Sequence, residues 1–208
     1  MKVLVIGAAG RTGRHAVRML LERGDNVTAF VRNPSAITER SDRLRVFHGD
    51  ARDSAAIDRA VQSQDAVLSA LGGGPLRKSD LQEAFMRNLV TAMTMRGVRR
   101  LVNLSAWGSG GASVPPANLF ARYFFLPIVL RHVLADKRRG EAHLFASTLD
   151  YVNVCPAFLK DGPALGGVKA SLDGRGLKQF MHREDLAEFM VSQLTDEAWV
   201  RKCVMVGY

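Results

Sequence analysis

Hydrophobic and polar positions alternate in blocks along this chain of 208 residues, with short apolar runs separated by amphipathic stretches. Six runs have the length and composition of buried strands, and five stretches carry apolar residues at helical spacing. The predicted strands are Lys2–Ile6, Asn26–Val31, Leu44–Phe47, Ala66–Ala70, Leu101–Leu104 and Tyr151–Cys155. The predicted helices are Thr12–Arg23, Ser54–Ser63, Ser79–Arg96, His132–Ser147 and Glu184–Leu194. This alternation predicts a doubly wound α/β fold, with a mainly parallel sheet and helices on both faces.

Two stretches interrupt the alternation and predict long loops. Residues Trp107 to Asn118 are rich in glycine, serine and proline, and Asp161 to Gly176 is rich in glycine. Both should lie near the carboxyl ends of strands, where open α/β sheets bind their ligands. We therefore expect a single domain over residues 1–208, with a substrate region formed by loops 107–130 and 157–180.

The composition is that of an ordinary globular protein, with 47% hydrophobic and 24% charged residues. The longest apolar stretch, Leu119 to Leu130, contains Arg122 and is shorter than the ~20 residues of a membrane span. The apolar run before Gly7 is too short for a signal peptide, so we expect a cytoplasmic protein with no membrane contact. Cys155 and Cys203 lack metal-ligand or CxxC spacing, which favours buried reduced thiols and no metal site.

The formal net charge of +9 raises the question of a nucleic-acid partner. The basic residues are scattered, however, and no zinc-finger or RNA-binding signature lies among them. We therefore expect no nucleic-acid partner. A basic surface would equally favour an anionic small molecule.

A glycine-rich turn, Gly7-Ala8-Ala9-Gly10-Arg11-Thr12-Gly13, follows the first predicted strand and leads into the first predicted helix. Gly7 permits a tight turn, Gly10 lets the backbone approach a diphosphate, and Gly13 lets the helix pack against the strand. Free amides at the helix start would then meet the anion. Arg11 fits the same interpretation, because a cation in the first turn opposes the helix dipole unless an anion is nearby. The turn predicts a dinucleotide-binding domain of the Rossmann type.

The end of the second predicted strand indicates which dinucleotide is favoured. An acidic residue there would bind a ribose 2′-hydroxyl, whereas an arginine accommodates a 2′-phosphate. The residue is Arg32, which predicts NADP(H). The alternative is a surface arginine that pairs with Asp50 or Glu39.

Two further strand ends supply candidate cofactor contacts. Asp50 and Ala51 follow the third strand, where the acid can accept a hydrogen bond from the adenine amino group. Capping of the next helix is the alternative for Asp50, although Asp53 suits that role better. Leu71 and Gly72 follow the fourth strand and would let a cofactor ribose pass over the sheet, or else form a flexible turn.

With these motifs, nearly the whole chain resembles the short-chain dehydrogenase/reductase superfamily, in its atypical NAD(P)H-binding branch that includes biliverdin-IXβ reductase/flavin reductase. Beyond the glycine turn, the resemblance rests on Val31-Arg32, Gly49-Asp50, Leu104-Ser105-Ala106, Leu149-Asp150-Tyr151-Val152 and His182-Arg183-Glu184-Asp185-Leu186-Ala187. It implies that Thr12, Gly13, Arg32, Asp50, Leu71, Gly72 and Ser105 contact the cofactor. It also implies that Cys155, Pro156 and Ala157 pass near the nicotinamide.

The chain departs from that superfamily at its usual proton donor. Tyr123 is followed four residues later by Pro127 where a Tyr-x-x-x-Lys pair has lysine, and Phe158 stands where the resembling branch commonly has histidine. Ser105 and Lys137 remain as the catalytic candidates. A structural hydroxyl is the alternative for Ser105, and a solvated lysine among neighbouring charges is the alternative for Lys137. His182, at the start of a helix, is better explained by packing or capping.

These residues support two functions of different classes. The first is an NADPH-dependent reductase of a flat aromatic or conjugated acceptor, such as a flavin, quinone or tetrapyrrole, working as a monomer or homodimer. The aromatic run Phe120, Tyr123, Phe124, Phe125, Leu126 and Ile128 would cover that acceptor, unless it belongs to the core. The second is a non-catalytic NADP(H) sensor that acts through a protein partner. An isomerase or epimerase is disfavoured, because about 50 residues after the last predicted strand leave little room for a substrate domain.

Overall fold

The computed structural model describes residues 1–72, 79–107, 109, 131–156, 158–178 and 180–208. Its strands are β1 (Lys2–Ile6), β2 (Asn26–Val31), β3 (Leu44–His48), β4 (Ala66–Ser69), β5 (Arg100–Leu104), β6 (Asp150–Pro156), β7 (Phe158–Lys160), β8 (Lys169–Ser171), β9 (Phe180–His182) and β10 (Lys202–Gly207). Its α-helices are α1 (Arg11–Glu22), α2 (Ser54–Val61), α3 (Leu81–Arg96), α4 (Arg131–Phe145) and α5 (Arg183–Ser192), and Pro34–Ala36 form a short 3₁₀ turn. The six predicted strands and five predicted helices are all present.

The main sheet has the strand order β3-β2-β1-β4-β5-β6-β10-β8. All its neighbouring strands are parallel except β8, which pairs antiparallel with β10 at the edge. β7 and β9 form a separate two-stranded parallel sheet. The chain adds strands to one side of β1 first and to the other side from β4 onwards, which places a switch point between β1 and β4. The doubly wound fold predicted from the sequence is therefore confirmed.

Four strands were absent from the sequence-based prediction. β7, β8 and β9 have three residues each, too few for a period of two to stand out. β10 carries an apolar run over Cys203, Val204, Met205 and Val206, and its pairing with β6 extends the sheet beyond the six expected strands. The alternation of strands and helices predicted the architecture, but it did not predict how many strands the sheet contains.

Side-chain alternation along the parallel strands gives the molecule two cores. In β1, Val3 and Val5 belong to the core that contains residues of α1 and α5, whereas Leu4 and Ile6 belong to the core that contains residues of α2, α3 and α4. All four side chains are fully buried. Burial on both faces requires the near-continuous apolar strands seen in the sequence.

The junction of α3 and α4 is unusually close, and it fixes the helix that carries Lys137. A Cβ atom on Gly140 would lie 2.6 Å from the carbonyl oxygen of Gln82, so only glycine allows this approach. Asp136 then caps α3 from the neighbouring helix, accepting from the backbone amides of Gln82 (3.1 Å) and Glu83 (3.3 Å). This carboxylate satisfies amides that α3 itself leaves unpaired. Over the described part of the chain, no helix is long and apolar enough to cross a membrane.

Candidate functional site

The turn after β1 has the close backbone packing that the glycine pattern predicts. Gly7 adopts a left-handed conformation, with φ of +76°, and its carbonyl accepts from the Gly10 amide at 2.8 Å. A Cβ atom on Gly13 would lie only 2.2 Å from that same carbonyl oxygen, and one on Gly7 would lie 2.7 Å from the Ala70 carbonyl oxygen. Side chains at these positions would push the turn away from both α1 and β4. This closely packed turn from Gly7 to Gly13, the glycine cradle, therefore depends on glycine at both positions.

The start of α1 is open for an anion. Gly10 occupies the cap position without a side-chain hydrogen bond, and the first turn holds no acidic residue. Its basic residue, Arg11, reaches instead to Asp161, with 3.3 Å between Nη1 and Oδ2. Asp161 also accepts from the largely buried Arg183 at 2.7 Å. An uncapped helix with its positive dipole end exposed is a favourable place for a phosphate group.

A cleft of about 830 Å³ extends from this turn over the ends of β1, β2 and β4. It brings together seven of the predicted cofactor residues: Gly7, Gly10, Arg32, Asp50, Ala51, Leu71 and Gly72. Of the other predictions, Thr12 and Gly13 are buried under the turn, and Arg11 is exposed beside it. Arg52, Ser79, Asp80 and Leu81 also contribute to the cleft, and the sequence analysis did not single them out.

The two arginines of the cleft are in different electrostatic states. Arg32 is exposed, and no acidic side chain in the described part of the chain pairs with it, so the predicted alternative of an ion pair with Asp50 or Glu39 is wrong. Arg52 is held by Asp80, with 3.0 Å between Nη2 and Oδ1. The hydrogen bond from Arg52 lowers the pKa of Asp80. Asp50 accepts from the Arg52 amide, while Asp53 accepts from the amides of Ala55 and Ala56 and caps α2 as expected.

The two catalytic candidates lie beyond the cleft, at the carboxyl end of β5, and both are buried. Lys137 is 6% exposed and donates through Nζ to the carbonyl oxygen of Leu104 at 3.2 Å. The alternative of a solvated lysine is therefore wrong. Burial lowers the pKa of Lys137, although the neighbouring carboxyl groups of Glu141 and Asp136 act in the opposite direction. Ser105 is 5% exposed and follows β5, and Pro156 ends the neighbouring strand β6.

Ser105 belongs to a buried polar cluster that the sequence analysis did not foresee. Its hydroxyl donates to Oε1 of Glu141, which also accepts from Ser109 Oγ and from Asn153 Nδ2, each at 3.0 Å. Asn153 accepts in turn from Asn103 Nδ2 at 2.7 Å. All five side chains are at least 95% buried. One sequence signal could have indicated this cluster. Lys137 and Glu141 are four positions apart, which places both on one face of α4.

The two cysteines lie on neighbouring strands, with their sulfur atoms 3.0 Å apart. Cys155 is buried as predicted, but Cys203 is only partly buried. The hydrogen bond with Cys203, together with burial, raises the pKa of Cys155 well above its usual value. Their distance apart in the sequence, 48 residues, concealed a contact that the pairing of β6 with β10 creates.

Part of the predicted substrate region lies outside the described residues. This applies to Ala157 and to residues 108 and 110–130, which include the aromatic run from Phe120 to Ile128. The loop from residue 158 onwards is described except for residue 179, and it exposes the large apolar side chains of Phe158, Leu165 and Leu172. His182 precedes α5 without capping it, and its ring contacts the Pro163 carbonyl oxygen at 2.6 Å. The packing role expected for His182 is confirmed.

Comparisons with known proteins identify relatives of this chain. The chain is 30% identical over 209 residues to an uncharacterised chloroplastic protein of Arabidopsis thaliana, covering 94% of this chain and 72% of that protein. It is 35% identical over 128 residues to a 3-diazoavenalumate denitrifying reductase of a Streptomyces species, covering 56% of this chain and 41% of the reductase. The chain spans about a third to three quarters of the length of the curated relatives that it matches.

Solved structures share the fold over the full length. ChuY, an anaerobilin reductase from Escherichia coli O157:H7, superposes with a TM-score of 0.81 at 22% identity, covering 100% of this chain and 97% of that one. A sequence profile described as NAD(P)H-binding matches residues 7–197, from the glycine turn to beyond α5. The chain therefore belongs to the NAD(P)H-binding family, in agreement with its resemblance to the atypical short-chain dehydrogenase/reductases.

Proposed function

We propose that this protein is an NADPH-dependent oxidoreductase that transfers hydride to a flat aromatic or conjugated acceptor, such as a flavin, a quinone or a tetrapyrrole. The observation that carries the proposal is Arg32, an exposed guanidinium in a cleft that begins at an uncapped helix. No acidic side chain in the described ranges neutralises it. A 2′-phosphate would supply that anion in a bidentate geometry that a ribose hydroxyl cannot match.

The residues of the cleft suit the successive parts of this dinucleotide. Amides at the start of α1 would hold the diphosphate, with Gly7, Gly10, Thr12 and Gly13 giving the backbone its close approach. Arg11, at the first position of α1, could join them. Its ion pair with Asp161 is weak because both side chains are exposed, so the diphosphate could replace Asp161 as its partner. Asp50 and Ala51 would contact the adenine, and Leu71 with Gly72 would lie under the ribose.

At the other end, Ser105, Lys137, Pro156 and Ala157 would surround the nicotinamide half. When bound, the cofactor supplies a hydride. A conjugated acceptor needs mainly a stacking surface and can take its proton from water, so it does not require a Tyr-x-x-x-Lys pair. The similarity to a Streptomyces reductase supports reductase chemistry.

The test has two stages. Calorimetry at low salt should show that the purified protein binds NADPH more tightly than NADH. The protein is then mixed with NADPH and a panel of flavins, quinones and tetrapyrroles, and the loss of NADPH absorbance is followed. Oxidation with at least one acceptor is expected. Binding of neither nucleotide would refute the cofactor assignment, and binding without oxidation across the panel would refute the reductase.

One observation favours a second candidate, a non-catalytic NADP(H) sensor. Both catalytic candidates donate hydrogen bonds to groups within the protein. Ser105 donates to Glu141, and Lys137 donates to the carbonyl oxygen of Leu104. A sensor would bind the cofactor tightly without turnover and would bind a protein partner differently in the NADP⁺ and NADPH forms. Equal partner affinity with and without cofactor would exclude it.

A further inference from the structure

The carboxylate of Glu141 is the centre of a built, buried site at the carboxyl end of β5. It is 2% exposed, and its Oε1 accepts from Ser105, Ser109 and Asn153, which are themselves buried. A buried carboxylate is costly unless donors surround it, so this convergence is what allows a charge to exist here.

The hydrogen-bond inventory of the cluster decides what Ser105 can do. An ionised carboxylate only accepts, so each serine must contribute its single proton as the donor. The proton of Ser105 is therefore directed inward to Glu141, and the hydroxyl oxygen keeps its lone pairs. Ser109 Oγ lies 2.8 Å from Ser105 Oγ, and it would occupy one of these lone pairs only by turning its single proton from Glu141 to Ser105. At least one lone pair remains for a donor on a ligand.

The face of α4 that carries Glu141 also carries Lys137, the second catalytic candidate. Lys137 lies one turn before Glu141 on α4, and its Nζ is bonded to the carbonyl of Leu104, the residue next to Ser105. The close packing of α4 at Gly140 and the Asp136 cap hold this face in place. The dinucleotide crosses the ends of parallel strands at the switch point, and the adenosine side of the cleft lies over β2. Ser105, which follows β5, lies on the opposite side of the switch point.

We propose that Glu141 is a positioning residue that fixes Ser105 as a hydrogen-bond acceptor for an O–H or N–H group in the nicotinamide half of the cofactor. This inference rests on the proposed NADP(H) binding and gives Ser105 a role other than proton donor. The adenosine half makes no use of the cluster.

The substitution Glu141→Gln tests this with little change of shape. A neutral amide oxygen cannot serve three donors as a carboxylate oxygen does, and the new amide group adds two donors of its own. Those donors would compete for the lone pair of Ser105 that the cofactor uses. We expect the Kd for NADPH to rise about tenfold, the equivalent of one lost hydrogen bond. The Kd for adenosine 2′,5′-bisphosphate, which lacks the nicotinamide riboside, should stay within about twofold.

Calorimetry of the folded variants against both ligands separates the outcomes. Ser105→Ala should reproduce the selective loss, and the double variant should be no weaker than Ser105→Ala alone, because one contact is lost once. Glu188→Gln, on the exposed surface of α5, is the control and should bind both ligands as the wild type does. If Glu141→Gln fails to fold, Glu141→Asp, which withdraws the charge by one methylene, is expected to show the same selective loss.

Three results would overturn the proposal. Equal weakening of both ligands would show a structural role only. Unchanged NADPH affinity, or single-variant losses that multiply in the double variant, would show that Glu141 does not act through Ser105. A wild-type protein that binds neither ligand would instead refute the proposed function, so the two failures remain distinguishable.

Discussion

At the scale of single residues, the missing Cβ atom of Gly13 matters as much as the charge of Arg32. Gly13 leaves room for the carbonyl of Gly7, where a Cβ atom would lie at 2.2 Å, and this space brings the start of α1 to the end of β1. Arg32 then stands at the end of β2 with its charge unneutralised by any acidic side chain in the described ranges. In the proposed function, the space left by Gly13 would serve the diphosphate and the charge of Arg32 would select the 2′-phosphate.

Replacing Arg32 by glutamate should remove the preference for NADPH. The substitution places a negative charge beside the expected 2′-phosphate and removes a charged hydrogen bond worth ~1.5–3 kcal/mol, which corresponds to a loss of affinity of roughly 10- to 150-fold. Affinity for NADH should change far less. Calorimetry of both nucleotides measures the ratio, with Arg59→Glu on the exposed face of α2 as the control for net charge. An unchanged ratio would mean that Arg32 does not contact the phosphate.

At the scale of elements, helix ends are stabilised by different means according to their task. α2 begins with a side-chain cap, since Asp53 accepts from the amides of Ala55 (2.9 Å) and Ala56 (3.2 Å). α3 is capped from outside by Asp136, whereas α1 has no side-chain cap at all. The start of α1, which faces the predicted diphosphate, thus keeps its amides available. α5 also lacks a side-chain cap, but its first turn carries the acidic residues Glu184 and Asp185. This contrast was only partly visible in the sequence, because the cap of α3 comes from a residue 54 positions later.

The cap of α2 gives a stability prediction that is independent of function. Asp53→Ala removes the acceptor for two amides at the helix start and should lower the free energy of unfolding by about 1 kcal/mol. Chemical denaturation followed by circular dichroism measures the change. The neighbouring Ser54→Ala, at an exposed position of the first turn, should leave the unfolding midpoint nearly unchanged. Equal effects of the two substitutions would show that the cap contributes nothing specific.

At the scale of the whole molecule, one buried carboxylate joins three distant parts of the chain. Asp185 in α5 accepts from the hydroxyl of Tyr208 and from the amides of Leu165 (3.0 Å) and Gly166 (2.8 Å). Tyr208 follows β10 and also accepts from the His182 amide. Burial by itself raises the pKa of Asp185, but the hydrogen bonds from Tyr208 and the two amides outweigh it, and the pKa lies below its usual value.

This lowered pKa predicts a loss of stability in acid. A carboxyl group whose pKa is lower in the folded state contributes its full stability above the unfolded value, near 3.9. The contribution is lost as pH falls through the folded value. In Asp185→Asn, the free energy of unfolding should be lower at neutral pH and should fall less steeply below about pH 5. Denaturation at a series of pH values measures this, with the exposed Asp42→Asn as control. Parallel pH profiles for wild type and Asp185→Asn would contradict the assignment.

The sequence by itself determined the doubly wound architecture, the glycine cradle, Arg32 and the cap at Asp53. These features depend on local patterns: hydrophobic periodicity, the conformational freedom of glycine, and the position of a residue at a strand end. Six strand positions and five helices followed from such patterns, as did seven residues that share the cleft.

Only the tertiary structure decided what happens where distant segments meet. It buried Lys137 and Ser105 around Glu141, placed Cys155 beside Cys203, and added β10 with its antiparallel neighbour β8 to the sheet. Strand pairing and helix packing create these contacts between residues that are dozens of positions apart, and no local period records them. A buried charge is also stabilised only by the particular donors that the fold brings to it, so the role of Glu141 could be inferred only from the assembled molecule.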